Sequence, residues 1–212
     1  MRKKTLLYGF AALFAAAAVA VGAAWVQFKG GAVKEECELF VSRRASYGDV
    51  VDSLRPRIRH WAAFAGYARR LDLENTFKPG HYELREGMDV VEIARMLKLG
   101  MQTPVRVTIN NVRTPSQLAQ KLARQLDADS AMLLKAFTSE AVARKAGFAD
   151  SATLFSMFLP DTYEFYWTVT PEEFVDRMKR EYDRFWTPER DALRARSGLS
   201  RLEAMTLASI VW

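Results

Sequence analysis

Cysteine and histidine are nearly absent: the 212 residues include one cysteine, Cys37, and two histidines, His60 and His81. One thiol cannot form an internal disulfide, and so few soft ligands leave no Cys/His set for a metal ion. No metal and no cofactor is expected. The chain also lacks a P-loop, a Rossmann glycine fingerprint and any Ser-His-Asp or Cys-His pattern. Nucleotide chemistry and nucleophilic acyl transfer therefore have no carriers. A block of one charge sign is missing as well. The formal net charge is +6, but Arg2, Lys3 and Lys4 precede the first apolar run, and without them +3 is spread along the chain. That is a solvated surface with no aromatic–basic module, so nucleic acid is not expected as a partner. Cys37 follows no small-residue cleavage box, which excludes a lipoprotein; it reads as a lone thiol near a strand start.

What the chain does have is one long apolar run. Thr5 to Phe28 carries no charge, and as a helix its 24 residues reach roughly 36 Å, enough to cross a ~30 Å hydrocarbon core. Arg2, Lys3 and Lys4 lie on one side and Glu35, Glu36 and Glu38 on the other. The basic end should stay in the cytoplasm and the bulk of the chain should be exported. Tyr8 and Trp25 fall near the two interfaces. A cleaved signal peptide is the alternative, because the many alanines offer cleavage points. The expectation is a single-pass anchor in the inner (cytoplasmic) membrane, residues 1–28, with a polar linker at 29–37.

Beyond the linker the patterning predicts a helix-rich α+β chain. "LFV" (Leu39–Val41) reads as a strand. Ser46 with Asp49 opens a helix that Pro56 interrupts, Ile58 to Leu71 reads as a second helix, and the Pro-Gly turn in "KPGHYEL" leads into a strand. This strand–helix–helix–strand order is that of a small LysM-like βααβ domain, 38–103. Asp89 and Gly100 bracket the helix Val90–Leu99. "VRVTI" (Val105–Ile109) alternates as a half-buried strand. Thr114-Pro115 opens a helix, Asp129 and Ser139 open two short ones, and Thr170-Pro171-Glu173 starts one that runs to about Trp186. These elements, with a helix from Pro188 to Ser197, form the start of a mixed α/β domain, 104–212.

Carboxylates are the remaining candidates for acid–base work. Asp161 and Glu164 stand apart because "SMFLPDTYEFYW" surrounds them with aromatics and has no helical spacing. Sugar grooves use such a mixture, with ring faces against the pyranose and carboxylates on its hydroxyls. Asp161, Tyr163 and Glu164 are thus the candidate substrate-binding residues. The competing reading has Asp161 closing a turn after Pro160 while Tyr163 and Phe165 fill core. His60, on a predicted helix, and His81, in a predicted turn, read as surface or capping residues.

Several stretches taken together resemble one family. "KPGHYELREGMDVVEIARML", "VRVTINNVRTPSQLAQKLA", "FSMFLPDTYEF" and "MTLASIV" are similar to motifs of the endolytic murein transglycosylases of the MltG (YceG-like) family. Asn110-Asn111-Val112 stands where that family has Pro-Glu-Gly, and Ser156-Met157 where it has Gly-Tyr. The resemblance implies a membrane-anchored lytic transglycosylase that cleaves the MurNAc–GlcNAc bond of nascent peptidoglycan. One glutamic acid with a raised pKa protonates the glycosidic oxygen and the muramyl 6-hydroxyl closes onto C1, giving 1,6-anhydro ends. It further implies peptidoglycan glycan strands, the membrane and cell-wall synthases as partners. The alternative is a non-enzymatic, membrane-anchored peptidoglycan-binding module.

The final stretch, "SGLSRLEAMTLASIVW", bears on the catalytic acid. Ser200 and Glu203 form a capping box, and Leu202, Met205 and Ala208 recur at helical spacing, yet no Gly, Asn or Pro closes the helix. The resemblance puts the catalytic glutamate about two positions after Trp212, so no catalytic residue is expected within the 212. Residues from about 198 onward are expected to be poorly ordered or loosely packed.

Overall fold

The computed structural model describes residues 17–19, 22, 25 and 29–211. The expected anchor, Thr5–Phe28, lies almost wholly outside the described residues. Among those described, no helix is long and apolar enough to cross a membrane. The chain divides into two units, Met1–Thr103 and Pro104–Trp212.

In the first unit β1 (Cys37–Val41) is followed by helices α1 (Tyr47–Leu54), α2 (Trp61–Arg70) and α3 (Leu73–Thr76), then β2 (Gly80–Leu84) and α4 (Val90–Leu99). Strands β1 and β2 pair antiparallel, with Leu39 opposite Tyr82 and Phe40 opposite His81. Alternation sends Leu39, Val41, Tyr82 and Leu84 into a core shared with Leu54, Phe64, Ile93 and Leu97. The helix signals hold where they are local. Ser46 and Asp49 form a full capping box, and Gly100 closes α4 at φ 69°, the left-handed backbone that glycine adopts without a Cβ clash.

Three features differ from the sequence reading. The order is strand–helix–helix–helix–strand, because Leu73–Thr76 adds a turn of helix whose N-cap, Asp72, sits at φ 54°. Ile58 does not begin α2; it forms an isolated antiparallel bridge with Val33. The expected linker is therefore packed structure, with Ala32 and Val33 fully buried. His81 lies within β2, not in a turn, and is only 3% exposed. The ring of Phe40 stacks on it at 4.5 Å, and its Nδ1–H donates to the carbonyl of Thr103 at 3.0 Å.

The second unit runs β3 (Val105–Ile109), α5 (Pro115–Ala123), α6 (Ser130–Phe137), α7 (Glu140–Lys145), α8 (Ser151–Leu154), a 3-10 turn (Phe155–Met157), β4 (Asp161–Phe165), α9 (Pro171–Phe185), α10 (Pro188–Arg196) and α11 (Arg201–Val211). Strands β3 and β4 pair antiparallel, Val107 opposite Tyr163 and Arg106 opposite Glu164. Asn111 takes φ 50° just after β3, a conformation asparagine tolerates better than other side chains with a Cβ. The core gathers Val107, Ile109, Leu118, Leu122, Phe137, Leu154, Phe158, Phe165, Phe174 and Met178.

The N-cap of α4 is the polar pivot of the first unit. The Asp89 carboxylate accepts from the amides of Val91 and Glu92 at 2.8 Å each, and Lys29 Nζ donates to it at 2.8 Å. Burial works against its ionisation, but the bonds from Lys29 and the two amides prevail and hold the carboxyl below its usual range. Its stabilising contribution is therefore complete above the unfolded pKa of about 3.9 and fades as pH falls through the lower folded value. Asp89→Ala should cost about 2 kcal/mol in urea unfolding at pH 7. Asp89→Asn, which keeps the cap and loses the charge, should flatten the stability profile between about pH 5 and pH 2.

Candidate functional site

Strand β4 carries the candidate residues, and its placement is set by what lies before and beneath it. The 3-10 turn ends at Phe158, and Leu159 N–H donates back to Met157 at 2.9 Å before Pro160 releases the chain into β4. Under the strand lies an aromatic floor. Phe165 stacks on Phe174 at 4.8 Å, Phe158 on Phe174 at 6.1 Å, and Phe137 meets Phe158 at 5.0 Å. Such offset and tilted pairs hold better than their buried area alone accounts for.

The strand period divides the predicted residues between two faces. Tyr163 points into the core at 8% exposure, and its hydroxyl donates to the carbonyl of Leu159 at 2.9 Å. Burial, with smaller contributions from Asp161 and Glu181, pushes its phenol up to about 12. Tyr163 is thus a neutral donor that staples the turn, in agreement with the core-filling alternative for this residue and for Phe165. Glu164 is exposed on the outer face, opposite Arg106. Beside that pair the hydroxyls of Thr108 and Thr162 meet at 3.0 Å. The sequence reading passed over Arg106, Thr108 and Thr162; the alternation of "VRVTI" against "DTYEF" is the signal that could have found them. Asp161, exposed at the strand's first position, accepts from the Thr162 amide at 2.7 Å and so caps its own strand entry. Asp161 and Glu164 are brought onto one strand but not onto one face.

The "MTLASIV" stretch forms α11, which packs against the 3-10 turn and sends Met205 toward the core. Ser200 and Glu203 make the expected capping box, with bonds of 3.2 and 2.7 Å. The segment forms a helix that is loosely packed: Leu202, Leu207 and Ile210 are exposed. It is tied to α10 through Asp191, which accepts from Arg194 Nε at 3.0 Å and from both Nε and an Nη of Arg201. The bond from Arg201, helped by Arg194, holds the Asp191 carboxyl down at about 2. Arg201 also lies over the Trp186 ring, 5.5 Å from its centroid. Among the described residues, no group of three or more His, Cys, Asp or Glu side chains could hold a metal ion.

The sequence pattern of the YceG-like family matches residues 39–212, and the chain belongs to that family. A crystal structure of a YceG-like protein from Listeria monocytogenes is similar at 19% identity and a TM-score of 0.40, over 77% of this chain. The chain spans 60% of the length of that protein. No curated protein matches it.

Two substitutions test the local picture. Tyr163→Phe should lose about 1 kcal/mol, the value of one buried hydroxyl bond, measured by urea unfolding. Asp191→Asn should leave the global melt nearly unchanged, yet speed amide exchange in Arg201–Val211 by about fivefold. In the unmodified chain the protection of this helix, taken relative to the intrinsic exchange rate at each pH, should fall likewise as the pH drops through about 2, because the clamp needs the carboxylate.

Proposed function

We propose that this chain serves endolytic lytic transglycosylation of peptidoglycan, anchored in the inner membrane through Thr5–Phe28 with the rest of the chain on the extracytoplasmic side. Family membership is the observation that carries this reading. The polar outer face of β3 and β4 supports it: Arg106, Thr108, Thr162 and Glu164 offer donors and acceptors for sugar hydroxyls and acetamido groups, above a rigid aromatic floor. In this reading Glu164 binds glycan on that face, Asp161 binds it at the exposed end of the strand, and Tyr163 positions the strand by fixing the turn at Leu159. The first unit, read as a LysM-like module although its strands bracket three helices and not two, holds the glycan strand, and cell-wall synthases are further partners. The catalytic acid in this reading is the glutamate that the resemblance puts about two positions after Trp212. It gives its proton to the glycosidic oxygen, and as a carboxylate assists closure of the 6-hydroxyl onto C1. That role calls for a partly apolar surrounding, which the exposed side chains of Leu207 and Ile210 could help to supply.

Purified sacculi and mass spectrometry of the released muropeptides test this. The gene's complete product should generate 1,6-anhydro ends, and Glu164→Gln should lower that release about tenfold while leaving the melting temperature within about 2 °C. The 212-residue chain alone should sediment with sacculi and release nothing. Release by this chain that Glu164→Gln abolishes would overturn the location of the acid. Sedimentation without any release, even by the complete product, would favour the binding-module reading.

A further inference from the structure

The chain leaves its long apolar run with almost no slack. Phe28 ends the run, and Ala32, four residues on, is already fully buried in the first unit's core. Between them Lys29 is held by Asp89 at 2.8 Å. A Cβ on Gly31 would stand 3.2 Å from Gly87 Cα, and the Ala32 amide donates to Met88 at 2.7 Å. Four residues reach at most about 14 Å when fully extended. The headgroup region adds about 5–8 Å to each side of the hydrocarbon core. With Thr5–Phe28 in a bilayer, the surface around Ala32 therefore stands no more than about 9 Å beyond the headgroups, within a Debye length of their charge.

That surface is basic. The Val33–Ile58 bridge is extended by Lys34 N–H donating to Arg57 at 2.9 Å and Arg59 N–H donating to Ala32 at 2.8 Å. This pairing lays the "RPRIR" segment, Arg55 to Arg59, alongside Lys34. Ile58 turns inward at 2% exposure, while Lys34, Arg55 and Arg59 are exposed and Arg57 is half-buried. Their bonds go to carbonyls: Lys34 Nζ to Pro56 at 2.7 Å, Arg59 to Lys34 at 3.3 Å, and Arg57 to Ser53. Among the described residues none of the four is in an ion pair. The nearest acids in sequence, Glu35 and Glu36 beside Lys34 and Asp52 before Arg55, are exposed.

We propose that Lys34, Arg55, Arg57 and Arg59 form a face of the first unit that rests on anionic lipid headgroups. Guanidinium groups bonded only to carbonyls keep N–H donors for phosphate oxygens, and a cation within a Debye length of an anionic surface is drawn to it. The short tether means the unit need not search for the bilayer. The inference rests on the anchor reading, and the test separates the two. The full chain is inserted into nanodiscs of zwitterionic lipid, alone or with about a third anionic lipid, and treated with an arginine-specific dicarbonyl reagent. Modification of Arg55 and Arg59, read by mass spectrometry, should fall at least about threefold in the anionic discs, and added salt should restore it. The double variant Lys34→Gln/Arg59→Gln should lose the protection at Arg55. Equal modification of Arg55 and Arg59 in both disc types would overturn the proposal. A chain that enters neither disc would overturn the anchor, and this inference with it.

Discussion

The stack of Phe165 on Phe174, centroids 4.8 Å apart, is the contact on which the second unit depends. A two-stranded ribbon is marginal by itself in water, and among the described residues β3 and β4 have no third strand. Their partner is the aromatic floor beneath them, in which Phe174 from α9 meets Phe137, Phe158 and Phe165. The pairing is also distant in sequence, since Ile109 lies opposite Asp161. The loop between them closes only because α5 to α8 bring their own apolar faces to the same place. Closing so long a loop costs little more entropy than closing a short one. What it needs is a packed end point, and the phenylalanines provide it. The first unit repeats the scheme, with β1 and β2 bracketing α1 to α3 over Tyr82 and Phe64.

This architecture explains which parts of the fold could be read directly from the residues. Helix starts are decided by groups three residues apart. Ser46/Asp49, Thr170/Glu173 and Ser200/Glu203 accordingly appear where the sequence puts them, each with reciprocal bonds. Strand β3 was legible because alternation is equally local. Residues 29–36 were not. "KGGAVKEE" has the composition of a linker, and nothing local reveals that Val33 will pair with Ile58, 25 positions away, or that Gly31 will press against Gly87. Strand β4 was hidden differently. Five aromatics and a proline masked an alternation that is present, with Tyr163 and Phe165 inward and Thr162 and Glu164 outward. His81 shows the same limit: its burial comes from Phe40 across the ribbon and from Thr103, both remote in sequence.

The candidate site was therefore legible as a segment and illegible as a surface. Aromatic density around Asp161 and Glu164 marks the stretch out, and much of the reason for that density is structural. Tyr163 is there to hold Leu159, and Phe165 to reach Phe174. The polar groups that share a face with Glu164, namely Arg106, Thr108 and Thr162, become visible only once the register of β3 on β4 is known.

That register also limits the chemistry this ribbon can perform. Residues three apart on a strand lie on opposite faces, and Asp161 and Glu164 are separated by roughly 10 Å along the chain direction as well. Hydrolysis by two carboxylates requires both to flank a single glycosidic bond, about 5 to 9.5 Å apart with the sugar between them. The two acids of β4 cannot converge on one sugar in that way. A chemistry that needs a single acid, with the substrate's own hydroxyl as nucleophile, makes no such demand. It needs only a groove that grips the glycan and one carboxyl kept protonated by an apolar neighbourhood. Under the proposed function, the polar face of the ribbon is the surface that would grip the glycan. Helix α11 packs on the 3-10 turn just before β4 and carries exposed Leu207 and Ile210, the apolar neighbours that the proposed acid would need.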